Sequence, residues 1–254
     1  MSARILRQWP LPVLLIVLAV MWETLPPLFG IPHYILPRLS RVLEAVWANA
    51  GLLGKHFLVT LHEALVGLAI SAVAGTAVAL WIDGSKLAAK MLYPLLIASQ
   101  TIPIIALSPI MVLWFGYETG SKVAVVILFT FFPIAMNAAG GFRSADPDIG
   151  EMMQSMGAGR RALFLKWKLP SALPQFFTGL KMAAAISVGG ATLGEWLGGE
   201  AGLGVYTKRA SGMLRGDDVF AGVMLLSAMG LLLFLTVQTI ERFVCGNRTR
   251  VDEE

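Results

Sequence analysis

Residues 146–174 read DPDIGEMMQSMGAGRRALFLKWKLPSALP, a basic and half-polar stretch set between long apolar runs. Asp146 is a good helix N-cap, and Pro147 fits the first helical position, where its missing N–H costs nothing. Asp148 then lies near the positive end of the helix dipole. Ile149, Met152, Met153 and Met156 recur at i, i+3, i+4 and i+7, one apolar stripe of a short helix. Gly157 is placed to cap that helix in a left-handed conformation, and Gly159 permits a second bend. Arg160, Arg161, Lys166 and Lys168 flank Leu163, Phe164 and Trp167, and Leu169-Pro170 is expected to stop the segment. The reading is a small methionine-faced helix held between two membrane-length segments. Methionine suits a surface that re-packs against a moving partner. The plainer alternative is an amphipathic helix resting on its own bundle or on lipid headgroups.

Composition makes the surrounding runs membrane spans. Of 254 residues, 56% are hydrophobic and 14% charged, and the mean hydropathy is +0.71, which marks an all-α integral membrane protein. The net charge of +4 is no nucleic-acid signal, because the basic residues gather at the ends of apolar runs. A single cysteine, Cys245, excludes an intramolecular disulfide. His33, His56 and His62 lack metal-ligand spacing, and His62-Glu63 has no second histidine to complete H-E-x-x-H.

A crossing helix needs roughly 20 apolar residues. The first run, Trp9 to Phe29, ends at Pro26-Pro27 without a cleavage site and is expected to be retained. An interfacial helix is expected at 38–50. Further spans are expected at Leu61–Ile82, Lys90–Phe115, Val123–Phe142, Gln175–Glu195 and Val219–Ile240, about six in all. This divides the chain into an N-terminal part (1–56), a five-span core (57–245) with its loop at 143–174, and a tail (246–254). Gly67, Ser71, Gly75 and Ala79 form a small-residue face for close packing, within the bundle or against a second subunit. Lys181, near the start of its helix, is expected to snorkel to the interface. The third span carries Pro94, Pro103 and Pro109 beside Gln100, Thr101 and Ser108, a kinked and polar-dotted helix. Such a helix lines a transport path or is simply a kinked packing element. With Asn137, Ser187, Thr192 and Glu195 these residues are the candidates for a translocation path.

Six spans put both termini on one side. With that side inside, Arg4, Arg7, Lys86, Lys90, Arg143, Arg160, Arg161, Lys166, Lys168, Arg242, Arg248 and Arg250 are cytoplasmic. Arg38, Arg41, Lys55, Lys122, Lys208, Arg209 and Arg215 lie outside, twelve against seven. The positive-inside rule therefore places the methionine-faced helix in the cytoplasm.

Glu151, then Gly157, then Leu169-Pro170 resemble the "EAA" loop of ABC-importer permeases, whose pattern is E-A-A, three residues, G, nine residues, I-x-L-P. The alanines are here Met152 and Met153, and the isoleucine is Trp167. Pro103, Ala106-Leu107, Pro109, Trp114-Phe115-Gly116 and Phe131-Phe132-Pro133 are similar to the nitrate/sulfonate/taurine class of these permeases. Glu195-Trp196, Gly198 and Gly202-Leu203-Gly204 extend the likeness. The resemblance covers about residues 60–245 and implies a type I ABC-importer permease in a bacterial inner membrane. Asp148, Glu151, Met152, Met153, Met156, Gly157, Ala158, Leu169 and Pro170 would form the ATPase-coupling loop.

No G-x-x-x-x-G-K-[ST] is present, so the chain itself is expected to bind no cofactor. ATP and magnesium would sit on two partner ATPase subunits. A periplasmic or lipid-anchored binding protein would deliver substrate, and a second permease copy would complete the pore. The segment from Gly179 through Glu195 most resembles permeases for thiamine-precursor pyrimidines, with sulfonate, taurine or nitrate as alternatives. An ion-coupled secondary transporter would need an ionisable residue near mid-membrane, whereas Glu23, Glu63 and Glu195 fall near predicted span ends. A membrane enzyme would need a nucleophile–base or metal constellation, and none is legible.

Overall fold

Small residues at every fourth position from Gly67 to Ala79 give one helix a smooth face, and the architecture is built on it. The computed structural model describes residues 10–246. In chain order these form α1 (Pro10–Leu28), α2 (Leu39–Ala48), α3 (Ala50–Gly84), α4 (Lys86–Ser99), α5 (Ile104–Phe115) and α6 (Thr119–Arg143). They continue with α7 (Pro147–Ser155), α8 (Arg160–Gly198), α9 (Leu203–Gly212) and α10 (Gly216–Cys245). The described residues are all-helical, with no strand. Helices α3, α6, α8 and α10 are each long and apolar enough to span a membrane, and α4 and α5, apolar together but bent by 101° at their break, form a broken span or a re-entrant loop. The shorter apolar helix α1 reaches about 28 Å at 1.5 Å per residue, close to the hydrocarbon thickness. The expected tail beyond Gly246 lies outside the described residues.

Helix α6 is the centre, gripped on both sides by glycine faces. A Cβ added at Gly67 would stand 2.4 Å from Val126 Cγ1, and one at Gly75 would stand 3.1 Å from the Ala135 nitrogen. Between them the Thr130 hydroxyl donates to Ser71 Oγ at 2.6 Å. The small face of α3 therefore serves the chain's own bundle. On the other side of α6, Gly190 comes within 3.1 Å of Val126 Cα and Gly194 within 2.8 Å of Lys122 Cα, measured from the same added carbon. Backbones this close gain dispersion contact along their length, which is what binds helices where lipid removes the hydrophobic drive.

Three elements differ from the sequence reading. Helix α3 starts at Ala50 rather than near Leu61, so the division at residue 56 falls inside it. Gly51, Gly54 and Lys55 look like a loop, but Leu53 is buried and Thr60 is held by α8, so tertiary contacts extend the helix. The third span is broken rather than kinked. At its break the N–H groups of Gln100, Thr101 and Ile102 turn back to Ile97, Ala98 and Ser99 in tight i→i−3 bonds. Pro103, which has no N–H and disfavours helix at Ile102, then begins a new direction. Conversely, Leu169-Pro170 does not stop the coupling segment. Residues Phe164–Lys168 form a π turn in which the Leu169 N–H bonds the Phe164 carbonyl. The wider turn makes room for the proline ring, and α8 runs on to Gly198.

Candidate coupling loop and translocation face

Helix α7 is closed at both ends by its own sequence. Asp146 Oδ1 accepts the Asp148 N–H at 2.9 Å, with Pro147 in the first turn. At the other end Gly157 adopts φ +84°. The Gly157 N–H bonds the Gln154 carbonyl at 2.9 Å and the Ala158 N–H bonds that of Met153 at 3.0 Å. The helix rests on the bundle through Gly150, where an added Cβ would meet Trp167 Cη2 at 2.5 Å. Ile149, Met152 and Met156 face away from it, the last two 56% and 79% exposed. Glu151 is also exposed, whereas Met153 is half-buried. Ala158, Leu169 and Pro170 are half-buried in the root of the loop. The result is a nine-residue helix whose apolar, methionine-rich face is exposed.

Two contacts at the loop's roots carried no signal in the sequence beyond their charge. Lys168 Nζ donates to both Asp83 oxygens, at 2.7 and 2.8 Å, joining the π turn to the last turn of α3. The Arg143 guanidinium lies 4.8 Å from the centroid of the Tyr93 ring on α4. Lys181 lies well inside α8 and pairs with Glu241, one turn from the end of α10, at 2.6 Å, both side chains largely buried.

At the opposite end of the bundle α9 is strapped down. Glu195 is 1% exposed. It accepts the Thr60 hydroxyl at 2.6 Å and the Gly204 N–H. Thr60 in turn accepts the Leu203 N–H at 2.8 Å, and His56 Nδ1 accepts the Gly202 N–H at 2.9 Å. Gly202 has φ +118°, and a Cβ there would fall 2.1 Å from the Glu195 carboxyl carbon, so no other residue fits. Tyr206 donates to Asp218 at 2.6 Å. Burial, then that hydrogen bond, raises its hydroxyl above the ordinary tyrosine range, so it stays a donor. Sequence pattern located Glu195 and the glycines but not Thr60, His56 or Tyr206, which reach them across the fold.

The remaining path candidates separate into two groups. Gln100, Thr101 and Pro103 are exposed at the break between α4 and α5. Asn137 is half-buried and donates to the Pro133 carbonyl at 2.8 Å. Thr192 lines an open groove of about 570 Å³ between α8 and α10, with Gly189, Trp196 and Ser227. Ser108 and Ser187 are buried, and their hydroxyls donate to their own helices at Ile104 and Ala184. With Glu195 they are the three candidates that the fold turns inward. The groove is open along one side.

Comparison with known proteins agrees with this architecture. The family model of the binding-protein-dependent transport system inner membrane component matches residues 67–244. The formylaminopyrimidine transport permease protein ThiX of Halalkalibacterium halodurans is 40% identical over 90% of this chain and 92% of its own length. The riboflavin transport system permease protein RibX of Chloroflexus aurantiacus is 34% identical over 93% of this chain and 90% of its own. The crystal structure of an amino acid ABC transporter with histidines superposes with a TM-score of 0.61 at 14% identity. It covers 79% of this chain and 95% of that one, a likeness of fold. A family match across the whole of the 143–174 loop, on a bundle of apolar helices long enough to cross a membrane, places the chain in the binding-protein-dependent transport system inner membrane component family, as a permease subunit of an ABC importer.

Proposed function

We propose that α7 docks on a separate ATPase and that the chain, as one half of a homodimer, lines the path by which a binding protein's ligand enters the cell. The observation that carries this is the nine-residue helix Pro147–Ser155, capped at both ends and presenting Met152 and Met156 outward. ATP and magnesium belong to the two ATPase subunits. Closure of those subunits would bring two α7 helices together and switch the pore between inward- and outward-facing states, each stabilised by different partners. Lys86, Lys90, Arg143, Arg160, Arg161, Lys166 and Lys168 cluster at the α7 end of the bundle, which supports a cytoplasmic α7 and cytoplasmic termini. The open groove beside Thr192 supports a pore completed by a second copy. Within it Gln100, Thr101, Pro103, Asn137 and Thr192 are the proposed lining.

For substrate we propose a small nitrogen heterocycle of the pyrimidine type. Its support is the 40% identity to a formylaminopyrimidine permease across nearly the whole chain. The test is co-purification and uptake. Wild-type chain should hold its ATPase and import a radiolabelled pyrimidine in ATP-loaded proteoliposomes. Glu151→Lys should insert at equal levels yet lose both ATPase binding and uptake. Full uptake by that variant would refute the docking role, and uptake of taurine in place of the pyrimidine would refute the substrate.

A further inference from the structure

We propose that α4, the first half of the broken span, is the element the coupling loop drives, and that Lys168–Asp83 and Arg143–Tyr93 are the contacts that drive it. This rests on the coupling role proposed above for α7. The loop joins the bundle at two roots, Arg143 at the end of α6 and Lys168 in the π turn of α8. Both roots reach towards the same place. Arg143 covers Tyr93 on α4 itself. Lys168 grips Asp83, which stands one residue before the Gly84-Ser85 turn into α4, where the Ser85 side chain caps α4 by accepting the Ala88 N–H.

Beyond these contacts α4 packs through one face, where Ala89, Leu92 and Leu96 join the cluster of Ile82, Ala135 and Phe142. Only Ala88 and Leu96 of its residues are buried, while Leu87, Met91, Leu95 and Ile97 are exposed. Its far end is the break at Gln100–Pro103, where the hydrogen-bond ladder does not continue into α5. A helix fixed at one end and unlinked at the other can tilt without carrying α5 with it. Just past its free end lie Gln100 and Thr101, two of the exposed path residues proposed above.

The Lys168–Asp83 pair is suited to transmitting a displacement. It is a two-bonded, charge-assisted contact with side chains only 28% and 16% exposed, so its geometry holds better than a water-exposed ion pair would. On the other side, Trp167 packs on Gly150 of α7 while its neighbour Lys168 holds Asp83. Movement of α7 therefore reaches α4 through two adjacent residues of a π turn. Such turns depart from the regular helix and are frequent at functional sites.

The experiment compares three variants, reconstituted with the ATPase and binding protein: Lys168→Asp, the charge swap Asp83→Lys with Lys168→Asp, and the neutral pair Asp83→Asn with Lys168→Met. The swap is compatible with the fold, because a lysine at the C-terminal end of α3 is favoured by the helix dipole. The neutral pair leaves no orphaned charge, so it reports on coupling even where Lys168→Asp fails to fold. The neutral pair is expected to retain bound, hydrolysing ATPase while uptake per ATP falls about tenfold, the size of a usual coupling free energy. The swap should recover most of that loss. Wild-type uptake in the neutral pair would overturn the proposal. So would loss of ATPase binding in the neutral pair, which would make these residues part of docking, or a folded swap no better than Lys168→Asp. Failure of wild-type chain to bind the ATPase would instead refute the coupling role of α7 itself.

Discussion

Gly67→Ala adds one methyl at the tightest point between α3 and α6. Its carbon would lie 2.4 Å from Val126 Cγ1 and 2.5 Å from Val126 Cβ. Val126 cannot yield easily. It is β-branched and fully buried, and Gly190 of α8 presses on its backbone from the other side at 3.1 Å. Overpacking of this kind costs about 1–3 kcal/mol, against at most about 1 kcal/mol gained from alanine's better helix propensity. The control is Gly189→Ala on α8, where nothing lies within 4 Å of the added carbon. It keeps the propensity gain and has no clash, so the two variants should differ by about 1–3 kcal/mol. Unfolding by SDS titration in mixed micelles, followed by tryptophan fluorescence, measures that difference. Val126→Ala should rescue Gly67→Ala. Equal stability of the two alanine variants would show that α3 and α6 are not in backbone contact, and the packing scheme would be wrong.

Gly157→Leu forces a side chain into φ +84° at about 1–2 kcal/mol. It should insert normally but lose ATP-dependent uptake, as read by transport at matched expression. Glu195→Gln turns one acceptor into a donor facing Thr60 or the Gly204 N–H. It should destabilise the chain by about 1–3 kcal/mol in the same titration, with Thr60→Val acting in the same direction and the double variant less than additive. Single cysteines at Gln100, Thr101 and Thr192 in a Cys245→Ser background should react with aqueous thiol reagents in a nucleotide-dependent way. Cysteines at the buried Ser108 and Ser187 should stay protected, and the reverse pattern would displace the proposed path.

What the sequence revealed and what it hid divide along one physical line. Helix α7 was legible because its start and stop are local: Asp146, Pro147 and Gly157 act on backbone groups within four residues of themselves. The glycine stripes were legible as faces, since helical period alone aligns Gly67, Ser71, Gly75 and Ala79. Which helix each face meets was not, because the partner α6 is recognised only once the chain has folded. Proline was the least reliable sign. Pro103 breaks its span where Pro94 and Pro109 are carried inside helices, and Pro170 is absorbed by a π turn. The difference lies in whether neighbouring backbone groups find other partners. Long-range polar pairs were invisible for the same reason. Lys168 with Asp83, Lys181 with Glu241 and Glu195 with Thr60 lie 85, 60 (241 − 181) and 135 residues apart. In the sequence Lys168 and Lys181 read as interfacial charges and Glu195 as a path candidate, with nothing to point to their partners.

On the proposed mechanism this chain moves a solute only when an ATPase acts on α7. The decisive measurement is uptake of the pyrimidine bound by the cognate binding protein, in proteoliposomes holding this chain and its ATPase with ATP inside. Accumulation is expected to require ATP and the binding protein and to disappear with Glu151→Lys. Accumulation by the chain alone, driven by a proton or sodium gradient without ATP, would contradict it.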